Sequence, residues 1–150
     1  MLSNRLRREL DAHLTGSDFA AYHGVNVIHR RKVWIPDLVV APRDLDEIPD
    51  EDDLGVTAAG VAMVVEVVSP GHRNIVRDRD RKRREYARAG IPLYVLIDDH
   101  DGEGTVTILA DPTPGKAAYA DEHRVAYGTE ATIPDGPAKG YTIGETITRP

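Results

Sequence analysis

Cysteine is absent from the 150-residue sequence, which excludes disulfide bonds and metal sites built on thiolates. No apolar run approaches the ~20 residues that a membrane-spanning helix requires. The first residues, Met1-Leu2-Ser3-Asn4-Arg5, do not form the apolar segment that is typical of a secretory signal peptide. These features predict a cytoplasmic protein without a membrane partner.

The sequence also lacks the short motifs of several common chemistries. Neither a glycine-rich phosphate-binding loop nor the Gly-x-Ser-x-Gly pattern of a nucleophilic serine is present. The 6 histidines are scattered, and no two of them stand at the helical spacing of a metal site. Phosphate loops, serine nucleophiles and histidine-bound zinc can therefore be set aside.

Composition places the chain among ordinary soluble proteins. Hydrophobic residues make up 41% and charged residues 29%, which is typical of a globular domain. A length of 150 residues suits one domain with a real core. We therefore predict a single domain over residues 1–150.

The formal net charge is -6, which taken alone disfavours a nucleic-acid partner. The charges are segregated, however. One loop contains Asp44, Asp46, Glu47, Asp50, Glu51, Asp52 and Asp53. A second group, within a predicted helix or immediately before it, consists of Arg73, Arg77, Arg79, Arg81, Lys82, Arg83, Arg84 and Arg88. Such runs are most often only solvated faces, but a basic helix beside a candidate site can bind phosphate. The predicted phosphate-contacting residues are Arg73, Arg77, Arg81 and Arg84.

The most informative stretch of the sequence is a strand–helix–strand unit. Residues 64–68 and 93–97 are mostly apolar and rich in residues that favour β-strands. A charged segment over residues 74–89, predicted to be helical, connects them. Gly90 closes that helix. Because a helical connection allows two strands to lie parallel in one sheet, the pattern predicts an α/β fold with a mixed sheet.

Glu66 stands in the middle of the first apolar run, where a carboxylate is costly to bury unless it is paired or binds a metal. Asp37 occupies a similar place, after Pro36 and before another apolar run. Carboxylates on two neighbouring strands can converge on one divalent cation. The alternative is a structural ion pair between Glu66 and a cation of the next helix.

The connecting helix carries Asp78, Lys82 and Tyr86 at i, i+4 and i+8, so we predict that they form a row along one face. Lys82 is the only lysine in a helix that otherwise uses arginine. A site that needs a compact ammonium group therefore has one candidate there.

The order and spacing of these residues resemble the Uma2 family of endonucleases, a branch of the PD-(D/E)XK nuclease superfamily. The resemblance spans the chain from Leu2 and is densest over residues 34–98, where Ala-Gly-Ile-Pro precedes the second strand. It implies a restriction-endonuclease-like fold, with a mixed central β-sheet flanked by helices. It also implies metal-dependent hydrolysis of phosphodiester bonds in DNA by a homodimer.

The resemblance assigns roles to individual residues. Asp37, Glu66 and the backbone carbonyl of Val67 would hold one or two Mg²⁺ or Mn²⁺ ions, which prefer oxygen ligands. The catalytic residues would be Asp37, Glu66 and Lys82.

The assignment of Lys82 as a catalytic residue departs from the superfamily pattern. The superfamily's lysine position, two residues after the glutamate, is Val68 here, and in the Uma2 branch the lysine has moved to the helix. Asp78 and Tyr86 would support Lys82 by positioning its side chain. A further departure is that the family usually has strands before its first helix, and we expect this domain to lack them.

Two other interpretations stay open at the level of sequence. One is a catalytically inactive nucleic-acid-binding module on the same fold. The other is a protein-interaction domain in which Glu66 and Lys82 form a buried ion pair.

The rest of the chain yields a set of predicted elements. The first helix is predicted over residues 3–14, with a stripe of Leu6, Leu10 and Leu14. Strands are predicted over residues 19–28, 33–41, 105–110 and 117–127, and residues 131–133 and 141–143 are predicted to be short edge strands or a C-terminal tail. The acidic loop over residues 42–60 is predicted to be a mobile flap with a helical turn near Leu54. Trp34 is predicted to pack against the sheet, with stacking on a base as the alternative.

Overall fold

The structure is a computed structural model that describes residues 2–68 and 77–148. Its strands are β1 (Phe19–Tyr22), β2 (Val27–His29), β3 (Lys32–Trp34), β4 (Leu38–Pro42), β5 (Val56–Thr57), β6 (Met63–Val68), β7 (Leu93–Asp98), β8 (Thr105–Thr113), β9 (Ala118–Ala126), β10 (Ala131–Thr132) and β11 (Thr142–Ile143). Its α-helices are α1 (Leu2–His13), α2 (Arg83–Arg88) and α3 (Glu145–Thr148). A π-helical segment, Arg77–Lys82, leads into α2. Short 3₁₀ turns lie at Leu45–Glu47, Ala58–Gly60 and Pro114–Lys116.

A six-stranded sheet in the order β1-β4-β6-β7-β8-β9 forms the centre of the molecule. Only β6 and β7 run parallel within this sheet, and the other neighbours are antiparallel. The parallel pair flanks the helical connection, as expected for a strand–helix–strand unit. The predicted mixed α/β architecture is confirmed.

One face of this sheet packs against α1. Leu6, Leu10 and Leu14 follow the helical period and are all buried, so their stripe covers alternate residues of the central strands. The segment over residues 131–148 completes this layer, with β10 and β11 pairing in a small sheet of their own. Tyr141 reaches α1 through its hydroxyl, which donates to Glu9 Oε2 at 3.0 Å.

The other face of the sheet packs against α2 and a second small sheet. That sheet has the order β3-β2-β5, with β2 and β5 parallel. Tyr86 and Tyr94 meet edge to face in this second core, with ring centroids 5.1 Å apart. Strands β4, β6 and β7 of the central sheet are therefore buried on both faces, which explains their continuous apolar runs.

Two predicted strands are wrong because each one is divided between two sheets. Residues 19–28 form β1 in the central sheet and β2 in the small one, with Gly24 at φ +65° between them. Residues 33–41 likewise contribute to β3 and β4, and Pro36 lies in the break. Pro36 cannot donate to a ladder, so the chain changes sheets there.

The predicted helix over residues 74–89 differs in its winding. Its described part is π-helical over Arg77–Lys82 and α-helical only over Arg83–Arg88. A π-helical turn holds more residues than an α-helical one, so the predicted i, i+4, i+8 row does not continue regularly through this segment. Residues 74–76 lie outside the described residues.

The acidic loop is built differently from the prediction. The predicted helical turn near Leu54 is wrong, because 3₁₀ turns occur instead at Leu45–Glu47 and Ala58–Gly60. Within the same loop, β5 pairs with β2, and the Val56 N–H donates to the Asn26 carbonyl at 2.9 Å. Among the described helices, none combines the length and apolar character that spanning a bilayer requires.

Candidate active site

Strand alternation sets the position of Glu66. Val64 and Val68 point into the core beneath α2, whereas Val65 points towards α1. Glu66 shares the face of Val64 and Val68, and only 1% of its surface is exposed. A carboxylate is therefore buried at the carboxyl end of β6, under the helical connection that follows it.

The pairing of β4 with β6 brings Asp37 to Glu66. Leu38 lies opposite Val65 in this antiparallel ladder, so Asp37, one residue earlier, falls beside Glu66. The Asp37 main-chain N–H donates to Glu66 Oε1 at 2.9 Å. The Val67 N–H donates to Asp37 Oδ2 at 2.7 Å. Two hydrogen bonds thus connect the segments that carry Asp37 and Glu66, at the end of the β4–β6 ladder.

Lys82 approaches the same pair from the helical connection. It is the last residue of the π-helical segment, and its ammonium forms an ion pair with Glu66 Oε2. The Lys82 side chain is only 14% exposed, so the charge is held close to the sheet. The structure brings together Asp37, Glu66 and Lys82, the three predicted catalytic residues.

The electrostatics of Glu66 follow from its burial. Burial raises the pKa of Glu66 from its ordinary 4.5 to about 7, although the charge and hydrogen bond of Lys82 oppose this rise. The negative charge of Asp37 also raises this pKa, and the Asp37 N–H lowers it. Glu66 is thus poised to change its protonation state near neutral pH.

A comparison with protein families places this geometry in context. The sequence model of the Uma2 family, described as "Putative restriction endonuclease", matches residues 2–136. The chain belongs to the Uma2 family. The resemblance predicted from the sequence is therefore confirmed, and membership supports a nuclease, that is, a hydrolase that acts on nucleic acid.

A solved structure extends the comparison to the fold. The chain is similar to a protein from Anabaena variabilis whose crystal structure is described as that of a putative nuclease belonging to DUF820. The two share 13% sequence identity with a TM-score of 0.64, over 91% of this chain and 72% of the other. This likeness confirms the restriction-endonuclease-like fold. A search of curated proteins finds no match.

The Uma2 site offers oxygen donors that suit a hard divalent cation. Each carboxylate oxygen of Asp37 and Glu66 that accepts a bond from the protein keeps a further lone pair. No group of three or more His, Asp or Glu side chains among the described ones, those of residues 2–68 and 80–148, could hold a metal. Mg²⁺ is ordinarily held by one or two carboxylates with water and phosphate, so two carboxylates and the Val67 carbonyl fit such an ion.

The two predicted supporting residues lie in different surroundings. Tyr86 is fully buried on α2, edge to face with Trp34 at 6.1 Å and with Tyr94 at 5.1 Å between ring centroids. Asp78 belongs to the π-helical segment, and its side chain lies outside the described part of the structure. The prediction that both residues position Lys82 stays a prediction.

The predicted phosphate-contacting arginines are described in part. Arg81 is exposed and lies over the Trp34 ring, with its guanidinium carbon 5.9 Å from the centroid. Arg84 is exposed on α2. Arg77 is described only in its backbone, and Arg73 lies outside the described residues.

The sequence reasoning missed two features beside this Uma2 site. Trp34 was predicted only to pack against the sheet; its ring also meets Tyr86 of α2 and lies beneath the Arg81 guanidinium, two contacts that local spacing does not reveal. Asp98 is 1% exposed at the end of β7, opposite Val68 and on the face that carries Glu66. It accepts a bond from the His100 N–H at 2.9 Å. Strand alternation from Tyr94 would have signalled this buried carboxylate.

Proposed function

We propose that this Uma2 protein is a metal-dependent endonuclease that hydrolyses phosphodiester bonds in DNA. The observation that supports the proposal is the convergence of Asp37, Glu66 and Lys82 at the carboxyl end of β6. Buried Glu66 and exposed Asp37, with one ammonium beside them, form a donor set that suits phosphoryl-transfer chemistry.

The acidic pair would bind the ion. Asp37 and Glu66 would hold Mg²⁺ or Mn²⁺ with the Val67 carbonyl, and restriction-endonuclease-like families generally use divalent metals. When bound, the ion supplies charge stabilisation at the phosphate and lowers the pKa of coordinated water. The bonds from the Asp37 and Val67 N–H groups fix both carboxylates in place before any ion binds.

Lys82 would act on the reacting groups directly. Its ammonium, held near Glu66, would orient the attacking water and offset the negative charge that develops on the phosphoryl oxygens. Hydrolysis forms a bond between the water oxygen and phosphorus and breaks one ester P–O bond. The proton that the water loses ends on the leaving oxygen.

The remaining parts of the proposal come from the sequence. Arg81 and Arg84, with Arg73 and Arg77, would contact the DNA backbone without reading its sequence. We further propose a cytoplasmic homodimer, each chain forming one domain over residues 1–150.

A second candidate function is favoured by the Lys82–Glu66 ion pair itself. A buried pair of this kind can be purely structural. The chain would then be an inactive nucleic-acid-binding or protein-interaction domain on the nuclease fold.

Cleavage assays separate the two functions. Purified protein is incubated with supercoiled plasmid in Mn²⁺, in Mg²⁺ and in a chelator. Asp37→Asn and Glu66→Gln should abolish metal-dependent nicking, whereas Asp46→Asn and Glu130→Gln, the same changes at exposed sites, should leave it intact. Folded wild-type protein that binds DNA equally well in chelator and never nicks it would establish the inactive binding module.

A further inference from the structure

The β2–β3 hairpin has an unusual turn. His29 pairs with Lys32, so Arg30 and Arg31 are the two residues of the turn. Both adopt left-handed backbone conformations, with φ values of +48° and +69°. Asn-Gly and similar pairs favour this kind of two-residue turn, because a Cβ atom disfavours positive φ.

The turn arginines have no ion-pair partner among the described side chains. Both are exposed, and neither forms an ion pair within residues 2–68 and 80–148. Side chains kept in a disfavoured backbone conformation point to a role outside the fold. Two adjacent guanidinium groups that project from a turn suit a ligand with repeated negative charges.

The hairpin leads directly towards the candidate active site. β3 continues through Ile35 and Pro36 to Asp37, so the turn lies six residues before that carboxylate. Six extended residues span at most about 20 Å, which is the length of roughly six base pairs of duplex. A duplex held at Asp37 would therefore reach the turn.

Charged groups surround both the strand and the turn of the hairpin. Beside α2, Lys32 forms an ion pair with Glu85 at 3.1 Å, and the Arg81 guanidinium lies over the Trp34 ring. At the turn, Arg30 and Arg31 line an open cleft of about 550 Å³ together with Asp50 and Glu51. These two carboxylates disfavour phosphate inside the cleft, so DNA would follow the side that carries Lys32 and Arg81 towards Asp37.

The edge of the hairpin also leaves apolar surface beside this path. Val33, on the edge strand β3 of the small sheet, is 49% exposed, and Ile35, which follows β3, is 60% exposed. These side chains offer contacts to sugar rings next to the phosphates that the arginines would bind.

We propose that the β2–β3 hairpin is a DNA-backbone-binding element in which Arg30 and Arg31 each contact a phosphate a few base pairs from the scissile bond. The inference rests on the proposed function, because it takes DNA at Asp37 as its starting point. It adds a second basic surface, on a different element from the helix that carries Arg81 and Arg84.

The turn permits a variant that separates binding from folding. Arg30→Asn combined with Arg31→Gly creates the turn sequence that this backbone prefers, so the melting temperature should stay the same or rise. Affinity for a 20-base-pair duplex, measured in chelator to prevent cleavage, should fall roughly ten- to fiftyfold at 0.1 M salt. The slope of log affinity against log salt should decrease by about two.

A matched control removes the same charge elsewhere. Arg8 and Lys139 are exposed, and Arg8 lies on α1, across the central sheet from the hairpin. Arg8→Gln combined with Lys139→Gln should leave both the affinity and the salt slope nearly unchanged. Analytical ultracentrifugation of wild type and both double variants shows whether the substitutions change the oligomeric state.

The outcomes distinguish this inference from the proposed function. If wild-type protein binds and cleaves the duplex but the turn variant binds it with unchanged affinity and salt slope, the hairpin is not an interface and the nuclease proposal stands. If the variant loses affinity only because its oligomeric state changes, the hairpin is a contact between copies and the inference is wrong. If wild-type protein neither binds nor cleaves DNA, both proposals fail together.

Discussion

The ion pair between Lys82 and Glu66 determines what single substitutions should do at the site. Lys82→Ala should lower metal-dependent cleavage by about 10²–10³-fold, because it removes the ammonium that is proposed to stabilise charge at the phosphate. The fold should persist, since an unpaired Glu66 can take up a proton near neutral pH. Plasmid nicking in Mn²⁺ and a thermal melt measure the two effects.

Two other lysine variants sharpen this result. Lys82→Arg should restore little activity, because a guanidinium is larger and does not deprotonate. Lys116→Ala, at an exposed position in a 3₁₀ turn, should behave as wild type. Equal nicking rates in wild type and Lys82→Ala would show that Lys82 is not the displaced catalytic lysine.

Glu66 should make the stability of the metal-free protein depend on pH. Its pKa is about 7 in the folded state and 4.5 ordinarily, so between these values the folded state binds more protons than the unfolded state. Protonation of Glu66 therefore adds to the free energy of unfolding in full below pH 4.5, and this contribution is lost as the pH rises through 7. The free energy of unfolding should change by about 3 kcal/mol in total. Denaturant unfolding of wild type and Glu66→Gln across this range gives the contribution as a difference.

The difference in unfolding free energy between wild type and Glu66→Gln should change when a divalent ion is added. A cation binds the deprotonated carboxylate, so Mn²⁺ should stabilise wild type more at pH 8 than at pH 6 and should not stabilise Glu66→Gln. A difference curve that is flat with pH in the absence of metal would mean that Glu66 ionises normally despite its burial.

Individual site residues could be selected from the sequence, but their contacts could not. Glu66 stands out as a carboxylate in an apolar run, and Lys82 as the only lysine of its helix. The bond from Val67 to Asp37 depends on the register of two strands about 30 residues apart, which no local pattern encodes. The roles of all three catalytic candidates stay predictions.

At the scale of elements, the end of α2 is fixed by a glycine. Gly90 has φ +74°, and its N–H donates to the Ala87 carbonyl while the Ile91 N–H donates to the Tyr86 carbonyl. This pair of bonds closes the helix beneath the sheet. It also sets where Tyr86 lies in the second core.

Gly90→Ala should therefore destabilise the protein by about 1–2 kcal/mol, because a Cβ atom disfavours the left-handed conformation. The added Cβ would meet only Pro114 at 3.9 Å, so strain rather than a clash is the cause. Gly115→Ala, where nothing lies within 4 Å and φ is not positive, should be nearly neutral. Equal unfolding midpoints for the two variants would contradict this assignment.

Elements with a strong local period were predictable, and elements defined by distant partners were not. The leucine stripe of α1 and the apolar runs of β6 and β7 identify themselves by spacing. The small sheet could not be predicted in this way, because β2 pairs with β5, which lies far along the chain in the acidic loop. The π-helical winding of Arg77–Lys82 was likewise missed, since a charged run reads as an ordinary helix.

Across the whole molecule, the segment after residue 136 is part of the core although it lies beyond the family match. Arg5 donates to the Thr146 carbonyl at 2.7 Å, and His13 Nε2 lies 3.1 Å from the Lys139 carbonyl. Ile147 is 1% exposed against α1 and its neighbours. Two distant parts of the sequence thus close one side of the sheet.

Ile147→Ala should therefore cost about 2–5 kcal/mol, as much as Ile108→Ala in the central sheet. Ile35→Ala, the same change at a 60% exposed position, should have little effect on stability. Denaturant midpoints of the three variants rank the sites. An Ile147 variant as stable as the Ile35 variant would show that this segment adds little to the core.

The arrangement over α1 sets an order of events during synthesis. The stripe of Leu6, Leu10 and Leu14 is synthesised more than a hundred residues before residues 131–148, which complete its cover. At ordinary translation speeds that delay is on the order of 10 s, far longer than helix formation. The nascent chain must therefore carry an exposed apolar helix for seconds, and that interval is when chaperones would bind it.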